Sequence, residues 1–220
     1  GQVDGNMRRA IEGNLPDVAP SYFFVDIQRD QMPDFLTRVE GDPAVERVQS
    51  APMLRGVLTT INDQPATEVA GDHWVVRGDR GITYAAKQPE TTQIVAGAWW
   101  PEEYTGPPQV SFAREEAEEL GLDLGDTLTI NVLGRDITAT ITSLREVDFS
   151  TAGMGFVMVL NKAAIAAAPH SFIATVYTAP KAEARVLREI AKTFPNVTAI
   201  AVKDAIKRVS DMLSSVAAAT

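Results

Sequence analysis

Two histidines, His73 and His170, stand far apart in the chain, and there is no cysteine. Neither histidine sits in an HExxH or HxH string, so a zinc site is not expected. The absence of cysteine rules out disulfides, Cys-ligated zinc and thiol catalysis. Each histidine reads as an isolated surface or hinge residue. No G-x-S-x-G elbow, no G-x-x-x-x-G-K-S/T loop and no G-x-G-x-x-G turn occurs. A hydrolase could recruit only His73 or His170, and no serine beside them has a nucleophile's context. That reading ranks last, and no catalytic, cofactor-binding or metal residue is assigned.

Carboxylates pair at Glu102-Glu103, Glu115-Glu116 and Glu118-Glu119. The last two pairs are expected on the outer face of an amphipathic helix, where solvation accounts for them. Four apolar residues are better candidates for contact. Trp99 and Trp100, followed by Pro101, would point to opposite faces of an extended segment, leaving one exposed. Met154 and Phe156 lie in a glycine-containing loop from Phe149 to Phe156. Trp99, Trp100, Met154 and Phe156 are therefore candidates to touch a lipid-like ligand or a partner protein. The plainer alternative is that they fill the core of a β module.

The elements that would position them fall into two β-α-β units and an insertion. Ser21 to Gln28 is aromatic and β-branched, which predicts a strand. Asp30 is a predicted N-cap for a helix from about Gln31 to Glu40, with Pro33 in its first turn. Gly41-Asp42-Pro43 breaks it, and Val45 to Ile61 reads as extended, interrupted near Ala51-Pro52. The second unit has a strand at Phe172 to Tyr177 and a helix over Lys181 to Phe194. That helix would bury Ala184, Leu187, Ile190, Ala191 and Phe194, and an extended run follows from Val197 to Val202. Two such units, widely separated, predict a ferredoxin-like layer split by an insertion. Within the insertion, Val110 to Leu120 predicts a short strand and an acidic helix facing inward through Phe112, Ala113, Ala117 and Leu120. Period-two alternation over Thr127 to Leu133 and Ile137 to Leu144, turning at Gly134-Arg135, is a hairpin signal. Val157 to Leu160 adds another strand.

A net charge of −9 argues against nucleic acid as a main partner. Residues 181–220 hold seven Lys/Arg against four Asp/Glu, leaving −12 on the rest, a distribution suited to a membrane-proximal base. Val202, Ile206, Val209, Leu213 and Val216 form a seam of alternating four- and three-residue steps without a C-cap, so that helix is expected to continue beyond Thr220, into a membrane. Gly1 to Leu15 can form a second amphipathic helix. Two such helices would make a stalk under one body. No run within the chain approaches the ~18 apolar residues of a membrane span.

Four stretches carry a family resemblance: APMLRGVLTTIN (51–62), IVAGAWWPEE (94–103), VSFAREEAEELGLDLGDTLTINVLGRDITATITSLREVDF (110–149) and FPNVTAIAVKDAI (194–206). In this order they resemble the extracytoplasmic domain of FtsX-like ABC transporter permeases of the MacB/LolC mechanotransmission type, closest to the YbbP-like branch. The resemblance implies an α+β fold: a split ferredoxin-like, porter-type layer with an inserted small β-rich subdomain, on a helical stalk. The corresponding parts are an N-terminal stalk or linker at 1–20, the porter-like subdomain at 21–62 and 171–202, the insertion at 63–170, and a stalk helix at 203–220. It implies a non-catalytic periplasmic domain of an inner-membrane protein, without cofactor. This domain would couple ATPase-driven movement of membrane helices to a hydrophobic or lipid-like substrate. Implied partners are the permease's transmembrane helices, its cytoplasmic ATPase subunit and a periplasmic esterase of the lysophospholipase type. A free-standing periplasmic module binding an apolar ligand is the alternative.

Overall fold

The computed structural model describes residues 19–149 and 154–203. The helix expected at 1–15 and the seam beyond Lys203 lie outside these residues. The fold is mixed α+β and dominated by strands. In chain order, strand β1 (Tyr22–Ile27) leads through a 3-10 turn at Arg29–Gln31 into helix α1 (Met32–Glu40) and strand β2 (Val45–Ile61). A short β3 (Gln64–Pro65), helix α2 (Ala66–Ala70), a 3-10 turn at Trp74–Val76, β4 (Arg80–Tyr84) and β5 (Ile94–Gly97) follow. Next come β6 (Gln109–Ala113), α3 (Arg114–Leu120), β7 (Thr127–Val132), β8 (Arg135–Arg145), β9 (Met158–Leu160) and α4 (Lys162–Ile165). The described chain closes with β10 (Ser171–Thr178), α5 (Glu183–Thr193) and β11 (Thr198–Ala201).

Two compact bodies result: residues 51–148 with 155–170 form one, and the remaining described residues form the other. In the latter the strands lie in the order β11, β1, β10, β2. β1 is antiparallel to both neighbours, with Phe23 opposite Thr175 and Ile200. α1 and α5 cover one face, burying Phe24, Phe35, Val39, Val176, Val186, Ile190 and Phe194 in one cluster. Aromatic contacts knit it: ring centroids lie 5.6 Å apart for Phe24–Phe35 and 5.8 Å for Phe35–Phe194. Arg185 of α5 grips Asp42 with both terminal nitrogens at 2.8 and 3.0 Å, and Asp42 also accepts the Ala44 N–H at 2.9 Å.

Local departures from the sequence reading have local causes. Asp30 is not the N-cap of α1. The 3-10 turn comes first, fixed by the Gln28 N–H donating to the Gln31 side chain at 3.0 Å, and α1 starts at Met32. β2 runs through Ala51-Pro52 without a break; proline is tolerated in a strand wherever the ladder does not need its N–H. α5 turns Val186, Ile190 and Phe194 inward and leaves Ala184 and Ala191 exposed, because the larger side chains at four-residue spacing take the core.

The second body is a closed ring of six strands. The second part of β2 pairs with β4 (Leu54 opposite Ile82), and β4 with β9 in parallel (Tyr84 opposite Leu160). β9 pairs antiparallel with β6, and β6 runs parallel to β8 (Phe112 opposite Leu144). β8 pairs with β7 (Ile137 opposite Ile130), and β7 returns to β2 (Ile130 opposite Leu58). Residues 51–62, grouped by sequence with the porter-like part, pair here. The hairpin turn sits at Leu133-Gly134, one residue earlier than expected, since Arg135 already pairs with Val132. Both turn residues have positive φ, +52° and +85°, as a two-residue hairpin turn requires.

Inward residues Leu54, Leu58, Ile82, Phe112, Leu128, Ile130, Ile141, Met158 and Leu160 fill the ring. Gly56 belongs to this packing: a Cβ there would meet Ile82 Cδ1 at 2.7 Å, Ile130 Cγ2 at 2.9 Å and Val132 Cγ2 at 3.2 Å. Gly56→Val therefore overpacks the barrel. It is expected to lower the free energy of unfolding by about 1–3 kcal/mol, read from urea denaturation; unchanged stability would mean that the interior has slack at this point.

Candidate functional site

β5 ends at Gly97 (φ +75°), where the backbone passes so close to β8 that a Cβ would collide with the Thr142 carbonyl oxygen. The chain then carries Trp99 and Trp100 to the segment after β4. The Trp100 indole N–H donates to the Ala85 carbonyl at 2.8 Å, and that of Trp99 to Ala86 at 3.1 Å. The two rings lie 4.3 Å apart. They do not point to opposite faces, because the segment is not a strand and successive carbonyls draw both indoles to one place. Trp100 is buried and Trp99 half-buried. Phe156 is also half-buried, near Gly81, whose missing Cβ makes room for the Met53 thioether. Met154 is half-buried in the other body.

Phe156 is tied to a group not anticipated from the sequence. Arg145, at the end of β8, is 5% exposed, and its Nη2 donates to the Phe156 carbonyl at 2.5 Å and to the Ser111 carbonyl at 3.4 Å. Beside it the Ser143 hydroxyl donates to that of Ser111 at 2.7 Å, both fully buried. Burial pushes the Arg145 guanidinium down to about 10, while the charge of Glu116 favours its protonated form. Glu116 is buried too, a correction to the expected solvated face. Burial raises its carboxyl above the usual range, and the neighbouring Glu119 and Glu115 add to the rise. Arg145 Nε and Glu116 Oε1 have no hydrogen-bond partner among the described residues.

Both burials left a signal in the sequence. Ala139, Ile141, Ser143 and Arg145 share one face of an alternating strand, and Glu116 is four residues before Leu120 and three after Ala113.

Neither histidine is isolated. His73 Nε2 lies 2.6 Å from Glu119 Oε1, and its Nδ1 accepts the Val75 N–H at 3.2 Å. His170 Nε2 bonds the Tyr84 hydroxyl at 2.9 Å and its Nδ1 the Ala168 carbonyl at 2.7 Å. These bonds tie each imidazole to its surroundings. Among the described residues no three His, Asp or Glu gather as metal ligands.

No protein-family model matches the chain. Its similarity is to ABC transporter permeases, the class its motifs resemble. Over 205 residues, 93% of its length, it is 27% identical to the uncharacterized ABC transporter permease YbbP of Escherichia coli K12. It spans 24% of that relative. Among solved structures, a domain described as belonging to a permease protein of Porphyromonas gingivalis aligns with TM-score 0.40 and 15% identity, covering 76% of this chain and 79% of that one. No described helix is long and apolar enough to cross a membrane.

The buried carboxyl yields a signed expectation. A carboxyl raised in the folded state binds its proton more readily folded than unfolded, so Glu116 opposes folding at neutral pH and ceases to as pH falls through its folded range. Glu116→Gln should therefore raise the melting temperature at neutral pH, and the gain should shrink on acidification. A gain that is independent of pH would mean the carboxyl is not desolvated.

Proposed function

We propose that this chain is a non-catalytic, extracytoplasmic domain of an ABC transporter permease. Its role is to couple the movement of membrane helices, driven by a cytoplasmic ATPase, to the handling of a hydrophobic or lipid-like substrate or a periplasmic partner such as an esterase. Similarity to a permease along 93% of the chain carries the reading. The strand order β11, β1, β10, β2, with two β-α-β units on either side of the barrel in sequence, supports the split ferredoxin-like, porter-type layer.

The reading requires membrane helices next to the domain in the parent polypeptide. Sequencing the reading frame on both sides should show an apolar stretch of ~20 residues before Gly1 and another after Thr220. A stop codon soon after Thr220 would favour a free-standing binding module instead.

Within this reading, Trp99 and Phe156 are the contacts for an apolar ligand, because both are half-buried and held by hydrogen bonds that do not use their ring faces. Tryptophan emission titrated with lysophospholipid should shift saturably in the parent chain and lose most of that shift in Trp99→Phe. A flat titration removes Trp99 as a ligand contact.

A further inference from the structure

His73 makes two hydrogen bonds that admit only one of its neutral forms. Its Nδ1 caps the 3-10 turn Trp74–Val76 by accepting the Val75 N–H at 3.2 Å. An accepting Nδ1 carries no proton, so the ring proton is on Nε2 and is donated to Glu119 of α3, 2.6 Å away. A second proton can enter only at Nδ1, where it would face the Val75 N–H, donor against donor.

Charged groups surround the ring. From α3, the Glu119 carboxylate bonds the ring and Glu116 lies within its electrostatic reach. Asp72, the preceding residue, carries the same sign. Arg80 of β4 stands over the Trp74 ring at 5.5 Å, and that ring stacks beside the imidazole at 5.9 Å. The Val75 N–H opposes protonation directly. The capped turn also matters to the packing, since Val75 and Val76 are buried in the barrel's core, with Trp74 packed against it.

We propose that His73 is a proton-operated latch, in which uptake of a proton at Nδ1 releases the Val75 cap while the bond to Glu119 persists as an ion pair. Acidification then frees the turn that fills one part of the barrel core and keeps the loop fastened to α3. Neutral conditions close the latch. Neither the transport reading nor any ligand is needed for this.

The test is nuclear magnetic resonance of the ¹⁵N-labelled chain between about pH 8 and about pH 5, the range in which an imidazole changes charge, with the His73 ring nitrogens followed directly so that its protonation is told apart from that of Glu116. At the upper end the His73 nitrogens should show the Nε2–H form. As the ring gains its second proton, the Val75 amide should shift. Its solvent exchange should become about tenfold faster than in His73→Asn at the same pH. The asparagine keeps an acceptor for the Val75 N–H and has no titrating ring, so its Val75 amide should stay protected throughout, in a spectrum that also reports whether the variant folds. A Val75 amide that ignores the titration of His73, a ring in the Nδ1–H form at high pH, or a ring that takes no proton across the range would each overturn the latch.

Discussion

Closure of the barrel is the constraint on which the larger body depends. β7 must pair with β2 on one side and β8 on the other, or the six strands remain an open sheet with two unpaired edges. The strands flanking β2 lean their side chains, Ile82 of β4 and Ile130 and Val132 of β7, so closely over its middle that one position has little room for a Cβ, and Gly56 occupies it. Closure also forces the whole inward set of each strand into the core, because the alternation of a paired strand cannot be relaxed at one residue alone. Arg145 is buried for this reason. It lies in register with Ala113 at the end of an alternating run, and its charge is carried inside through backbone carbonyls.

The same constraint explains what was legible in the sequence. The β7–β8 hairpin could be read from period-two alternation around a glycine, since tertiary packing there agrees with local pattern. The α1 and α5 units were legible from proline and glycine breaks between strand-like and helix-like runs. Charge misled the reading of α3: Glu115, Glu118 and Glu119 point outward, but Glu116 shares their chemistry and not their face. Trp99 and Trp100 could not be placed by periodicity, because two carbonyl acceptors distant in sequence decide their orientation. Pro52 marked a break that the strand does not have, as proline reports a missing N–H and not whether the ladder wanted one.

These features together describe a scaffold. Polar groups that would suit chemistry in another setting are engaged in holding segments: Arg145 holds Phe156, His73 holds the turn after α2, His170 holds Tyr84. Half-buried aromatic surface remains at Trp99 and Phe156, fixed by backbone-directed bonds.

The proposal that a transport cycle acts through this domain can be measured directly, because the chain holds no cysteine. Spin labels at Leu133→Cys in the barrel and Lys192→Cys on α5, both exposed positions, report one distance between the bodies. That distance should be measured in the complete permease bound to its ATPase, without nucleotide and with ATP trapped. The account predicts two distance distributions that interchange with nucleotide state. One unchanging distribution in every state, from a complex that hydrolyses ATP, would contradict it.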